Sequence, residues 1–189
     1  MLTERHFKGT FHWPKGIRTA VTLTFDFQGG EDVRPLPDGS MDHEEYTQCE
    51  YGPHTGIWRI LRLLEEEKVK ATFNTCGGIA ERYADAVKAI VDQGHEIAGH
   101  GYHHEVARDL TREQEDDVMR RTGAMIKQRT GHQPIGWRSC TQSPNSIELL
   151  FVGDPQRFSQ RHRISLHSSD VSVSDLVFGV DCQGQGFVR

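Results

Sequence analysis

Residues 70–99, KATFNTCGGIAERYADAVKAIVDQGHEIAG, decide the fold. Lys70 to Cys76 is rich in β-branched and aromatic residues and reads as a strand. Ile79 to Gln93 places Ala86, Val87, Ile90 and Val91 on one helical face, and Gly94 supplies the stop. Glu96 to Gly99 is a second short strand. Working outward, the same alternation recurs. Ile17 to Phe27, IRTAVTLTFDF, is a strand, and Ile57, Ile60, Leu61, Leu63 and Leu64 form a helical stripe. Thr111 and Gln114 make a capping box for a helix whose face is Val118, Thr122, Met125 and Ile126, with Gly131 after it. Pro134 to Cys140, PIGWRSC, is a fourth strand, and a fourth helix starts at Ser146. Residues 29–54 lack periodicity and are expected to be a long loop. Four strand–helix units in succession imply parallel strands with helices outside, so the fold class is α/β.

Such sheets place their chemistry beyond the C-terminal strand ends. Asp26, Gln28 and Glu31 follow strand one. His100, Tyr102, His103 and His104 follow strand three, and Arg138, Ser139 and Cys140 follow strand four. His100 and His104 are four residues apart, which on one helical turn would suit two ligands of one divalent ion. Asp26 ends an apolar strand, where a carboxylate is costly unless paired or functional, so it is a candidate general base. Arg138 could hold Asp26 ionised through a charge-assisted hydrogen bond. Gly29-Gly30 lacks a following Lys-Ser/Thr and is not read as a phosphate loop. Cys140 as a nucleophile lacks any evident base.

The net charge of −5 gives no basic face for nucleic acid or an anionic membrane. Charged residues make up 26% and apolar ones 35%, within the range of a folded domain. The cysteines, Cys49, Cys76, Cys140 and Cys182, form no C-x-x-C pair and read as reduced thiols. The N-terminus carries no apolar run, so no signal peptide is expected, and the expected location is cytoplasmic.

The segments TLTFDF (22–27), KATF (70–73), GHEIAGHGYHHE (94–105) and GWRS (136–139) resemble, in order and spacing, the polysaccharide deacetylase superfamily that shares the NodB-homology domain. The likeness covers about residues 17–150 and is nearest to its allantoinase-like and peptidoglycan-deacetylase-like subgroup. It implies the N-terminal part of an incomplete (β/α) barrel whose C-terminal strands are missing here. It also implies hydrolysis of a non-peptide C–N amide bond, with Asp26 as base, Arg138 orienting it, and a water held by a divalent metal, zinc by preference, on His100 and His104. The family's second aspartate has no clean match: in the main branch its place falls on Phe27, and in the other on Gln28, which offers an amide oxygen but no charge. Glu31, Tyr102 and Trp137 are the expected substrate-binding residues, for a small amide or an N-acetyl sugar. The subgroup implies homo-oligomers and leaves open a metal-independent, allantoinase- or imidase-like hydrolase.

Residues 1–16 are read as an N-terminal arm, 17–150 as the partial domain and 151–189 as an atypical tail. The tail contains no Ala, Glu, Lys, Thr, Asn, Tyr, Trp or Met, which suggests out-of-frame or disordered sequence. It is expected to supply at most one short strand, from Val171, Val173, Leu176 and Val177. Leu166-His167 imitates the family's late leucine–histidine pair but stands too near Arg138 for the intervening strands. A truncated, non-catalytic remnant is therefore the competing expectation.

Overall fold

A computed structural model describes residues 21–134, 136–152, 178–180 and 186–188. Four parallel strands run side by side in sequence order: β1 (Thr24–Phe27), β2 (Thr72–Thr75), β3 (Glu96–Gly99) and β4 (Gly136–Trp137). The register aligns Phe27 with Thr75, Thr75 with Gly99 and Gly99 with Trp137. The next residues, Gln28, Cys76, His100 and Arg138, therefore leave the sheet at one end. Burial follows position in the sheet. Phe73, Asn74 and Thr75 in β2 and Ile97, Ala98 and Gly99 in β3 are all buried, whereas in β1 only Phe27 is. Strands covered on both faces read as continuous buried runs, as parallel sheets require.

Alternation along the strands separates two faces. Phe25, Phe73 and Ile97 point to the helices, where Phe25 stacks on Phe73 with ring centroids 5.2 Å apart. Their cluster includes Ile57, Leu61 and Leu64 from α2 (Ile57–Glu66) and Ile79 and Ala80 from α3 (Gly77–Arg82). Ala86, Val87 and Ile90 from α4 (Ala84–Asp92) and Ile126 from α5 (Arg112–Thr130) complete it. A second cluster joins Met119 of α5, Trp137 of β4 and Leu149 and Leu150 of α6 (Ser146–Val152). The opposite face of the strands carries Asp26, Asn74, Ala98 and Gly136, which are polar or small.

The α5 boundaries are as expected from sequence. Thr111 and Gln114 form both halves of the capping box, and Gly131 ends the helix at φ 77°. Other expectations are corrected. The segment 29–54 is not one loop: it holds a 3₁₀ turn at Gly29–Asp32, a helix at His43–Cys49 (α1) and a π-helical turn at Gly52–Gly56. The expected helix from Ile79 to Gln93 is two helices, α3 and α4, because Tyr83 leaves helical geometry at φ −121°, ψ 52°. Tyr83 there donates its hydroxyl to Glu50, a tertiary partner that periodicity cannot show. Among the described residues, strands one, two and four are shorter than expected, and positions 17–20 and 135 of the expected strands lie outside those residues.

In the tail, β5 (Phe178–Val180) and β6 (Gly186–Val188) pair antiparallel, which corrects the expectation of at most one strand. The expected arm at 1–16, the segment Val171–Val177 and the pair Leu166-His167 lie outside the described residues. No helix among the described residues is long and apolar enough to cross a membrane.

Candidate active site

Asp26 and Asn74 are register partners on the two adjacent strands, and Asn74 Nδ2 donates to Asp26 Oδ1 at 2.9 Å. The other carboxylate oxygen, Oδ2, accepts from Arg138 Nη1. Both oxygens of Asp26 are thus oriented, yet about a third of the side chain stays exposed. The Arg138 contact spans β1 and β4, which lie at opposite edges of the described sheet. A flat sheet would separate them by three spacings of about 4.8 Å. The long Arg138 side chain reaches across the ends of the two central strands to Asp26.

Arg138 also connects to the histidines through its backbone. Its N–H donates to Gly99 O at 2.9 Å, and its carbonyl lies 2.7 Å from His100 Nδ1. A carbonyl can only accept, so Nδ1 carries the proton and Nε2 presents a bare lone pair. His100 is 2% exposed, and its Nε2 is buried with no hydrogen-bond partner. Burial also pushes the pKa of His100 below its ordinary value, an effect only partly opposed by the Arg138 carbonyl and the Asp32 charge. The neutral, ligating form is therefore favoured.

His104 reaches the same place by a different route from the one expected. The two imidazoles do not share a helical turn, because residues 101–104 form an irregular bend and His104 sits at φ 54°. A left-handed conformation in a non-glycine residue is strained and persists where surrounding contacts hold it. Here Glu105 accepts from the N–H groups of Tyr102 at 2.8 Å and His103 at 3.0 Å. Gly77 and Gly78 donate to the carbonyls of Gly101 and Tyr102 at 3.0 and 2.8 Å. The bend brings the rings of His100 and His104 to 4.9 Å at 72°. Nδ1 of His104 is buried without a partner, and burial followed by the neighbouring His100 lowers its pKa. His100, His104 and Cys140 offer ligand atoms that all lie within 4.8 Å of one another. Two buried imidazole nitrogens without hydrogen-bond partners, on rings this close together, fit a divalent ion.

The remaining site candidates have other partners. Gln28 Nε2 donates to Asp32 Oδ2 at 2.7 Å, and the other Asp32 oxygen is buried without a hydrogen bond. Gln28 therefore braces a carboxylate near the histidines. The Glu31 side chain is 6% exposed and pairs with Arg82 and with His103 Nδ1. Tyr102 is buried, with its hydroxyl on Glu81 at 2.9 Å and the Arg121 guanidinium 4.3 Å above its ring. Trp137 is buried and donates to Ser139 Oγ at 3.0 Å. The side chains of Glu31, Tyr102 and Trp137, the expected substrate contacts, thus each have partners within the protein, in the walls around the site loops.

Sequence reading missed Asn74 and Asp32, and it placed Cys140 near the histidines without giving it a role. Asn74 was detectable as a polar residue inside a buried strand in register with Asp26. Cys140 has its thiol pKa pushed up to about 12, chiefly by burial, which suits a held thiol better than a free nucleophile.

A family model for polysaccharide deacetylase matches residues 45–147. The chain belongs to the polysaccharide deacetylase family. A peptidoglycan deacetylase of Helicobacter pylori is 37% identical over 109 residues, which is 58% of this chain and 34% of that protein. Among solved structures, a polysaccharide deacetylase homologue of Mycobacterium smegmatis aligns with TM-score 0.66 and 28% identity, covering 76% of this chain and 51% of that one. Puue allantoinase aligns at 0.64 and 27%, covering 73% and 52%. The chain spans about a third of the H. pylori relative and about half of these structures. The α/β architecture with its parallel sheet is that of these solved structures, and the polysaccharide deacetylase family is one of hydrolases acting on amide bonds.

Proposed function

We propose that this site hydrolyses the amide bond of an N-acetylated sugar, with Asp26 as general base and His100 and His104 holding a divalent ion, zinc by preference. The observation that carries the reading is the chain Asp26–Arg138–His100, which ends in the orphaned Nε2 of a buried, neutral imidazole beside His104. A bound ion would lower the pKa of a water and polarise the amide carbonyl. The protein's own groups do the rest. Asn74 and Arg138 fix both oxygens of Asp26, so its carboxylate is aimed before substrate arrives. Asp26 takes a proton from the attacking water and can return it to the departing nitrogen, so one carboxylate serves both half-steps. Arg138 acts twice: its guanidinium orients the base, and its carbonyl selects the ligating tautomer of His100. Glu31, Tyr102 and Trp137 keep the loops that carry these groups in place. The H. pylori relative is a peptidoglycan deacetylase, which supports an acetylated glycan as substrate class.

Zinc content and acetate release from N-acetylated glycan oligomers test the proposal together. Asp26→Asn should lower release by about 10²–10⁴-fold while zinc content holds. Equal release from wild type and Asp26→Asn would remove Asp26 from the chemistry. A second reading, hydrolysis of a cyclic amide without metal, is favoured by Gln28 standing where the resemblance expects a carboxylate. Chelation separates the two, since a metal-independent hydrolase keeps its rate after the ion is removed.

A further inference from the structure

Three ligand atoms meet beyond the strand ends, and only two belong to the histidine pair. We propose that Cys140 is the third protein ligand of the ion, forming a His100–His104–Cys140 set that takes a thiolate-accepting metal of the zinc and cobalt(II) class. The inference rests on the metal reading of the histidine pair and adds its charged member.

Position is the first argument. Cys140 follows β4 by three residues, two beyond the Arg138 carbonyl that fixes the His100 ring at 2.7 Å. Its Sγ also lies 3.7 Å from the backbone oxygen of His100. The thiol is therefore indexed to His100 at two points. A tetrahedral ion with metal–nitrogen distances of about 2.0 Å and metal–sulfur of about 2.3 Å needs ligand atoms roughly 3.5 Å apart. The three atoms here lie within 4.8 Å, so side-chain rotations of about an ångström close the set. Cys76 stays outside it, with its thiol donating to the His100 carbonyl at 3.0 Å.

Charge is the second argument. Two neutral imidazoles bring no charge to a dication in a buried place, where the nearby Asp32 carboxylate is the offsetting charge felt by both rings, so a charged ligand is favoured. Gln28 supplies no charge, and its amide nitrogen is engaged with Asp32. A Cys140 thiolate removes one unit. The S–H bond breaks, a sulfur–metal bond forms, and the proton goes to solvent. Three ligands leave the fourth tetrahedral position open, the arrangement of catalytic rather than structural zinc. A thiolate ligand also discriminates against magnesium and calcium, which prefer oxygen.

The test is titration of the full chain with cobalt(II), followed by zinc competition. Wild type should show sulfur-to-cobalt charge-transfer absorption in the near ultraviolet. Cys140→Ser should lose that absorption and weaken zinc binding by about tenfold or more. Cys140→Asp should keep much of the zinc affinity while lacking the absorption, which distinguishes a ligand from a merely structural thiol. Cobalt bound without the absorption, or with absorption that survives Cys140→Ser, overturns the Cys140 ligand and leaves the histidine pair standing. So does loss of binding in Asp32→Asn with none in Cys140→Ser, which would make Asp32 the charged ligand. Wild type that binds no cobalt or zinc, behaving as His100→Ala does, overturns both the cysteine and the metal reading beneath it.

Discussion

His104 combines two demands that conflict in one residue. Its ring must face His100, and the bend that achieves this holds the backbone at φ 54°. A side chain in that conformation is strained by about 1 kcal/mol or more, which glycine escapes. His104→Ala and His104→Gly both remove the imidazole, but only the second removes the strain. His104→Gly should therefore be about 1 kcal/mol more stable than His104→Ala in urea unfolding. Equal midpoints would show that the bend is not strained. Titration adds a second residue-scale expectation. Burial pushes the Glu96 carboxyl up to about 7, against 4.5 for the free group. The folded protein then keeps this proton to higher pH than the unfolded chain. Its contribution is complete below pH 4.5 and is lost as pH rises toward 7. His100 and His104 run the other way: with lowered pKa values, they cost stability as pH falls below the ordinary histidine value of 6.5. Glu96→Gln should thus raise the melting temperature at and above pH 7 and lose that advantage near pH 4. A variant with the same advantage at both pH values would place the effect elsewhere than in the proton.

Close approach between elements decides where side chains are allowed at all. A Cβ built on Gly99 would come 2.5 Å from the Trp137 ring, so β3 can lie beside β4 only because residue 99 lacks one. Gly99→Ala is expected to cost about 1–3 kcal/mol of unfolding free energy by overpacking. A midpoint unchanged in denaturant would mean that the indole moves aside freely. At the start of α5, Thr111→Ala removes the cap that accepts from Gln114 and should cost about 1 kcal/mol, read in the same experiment. These two positions also mark what the sequence could and could not reveal. The α5 cap is a local pattern in four consecutive residues, and strand three is bounded by Gly94 and Gly99, so both were legible. The same local logic was present in Asp42 and Glu45, where the Asp42 side chain accepts from Glu45 N–H at 3.0 Å and starts α1, yet helix α1 was read as loop. The break at Tyr83 and the burial of Glu31 depend on partners 33 and 72 residues away, and no periodicity encodes those. At the site, Asp26, His100 and Arg138 were legible from their places at strand ends. Cys140 was legible by place but not by role, and Asp32 was not legible, because the turn that brings it near the histidines is set by tertiary packing.

The sheet as a whole is unevenly protected, and the unevenness should be measurable. Strands β2 and β3 have a hydrogen-bonded neighbour on each side, and Phe73, Thr75, Ile97 and Ala98 are between 0% and 4% exposed. Among the described residues, β1 and β4 each have one neighbouring strand, and β1 is preceded by Val21 and Leu23 at 70% and 39% exposure. Amide hydrogen exchange tracks the opening free energy of each segment, which is highest where burial and pairing are complete. The slowest amides should therefore lie in β2 and β3, with Phe25 and Trp137 exchanging faster. The Arg138–Asp26 contact modifies this pattern, because it ties the end of one outer strand to the end of the other across the two central strands. It is a pair about one-third exposed, worth at most about 1 kcal/mol, so it should not move the global unfolding midpoint by much. Its effect should be local: in Arg138→Met the amides around Phe27 should exchange several-fold faster while those of Phe73 and Ile97 keep their rates. Uniform acceleration across all four strands would show instead that Arg138 supports the fold as a whole. Acceleration confined to the edges would identify it as the clasp that holds the base and the histidines in one geometry.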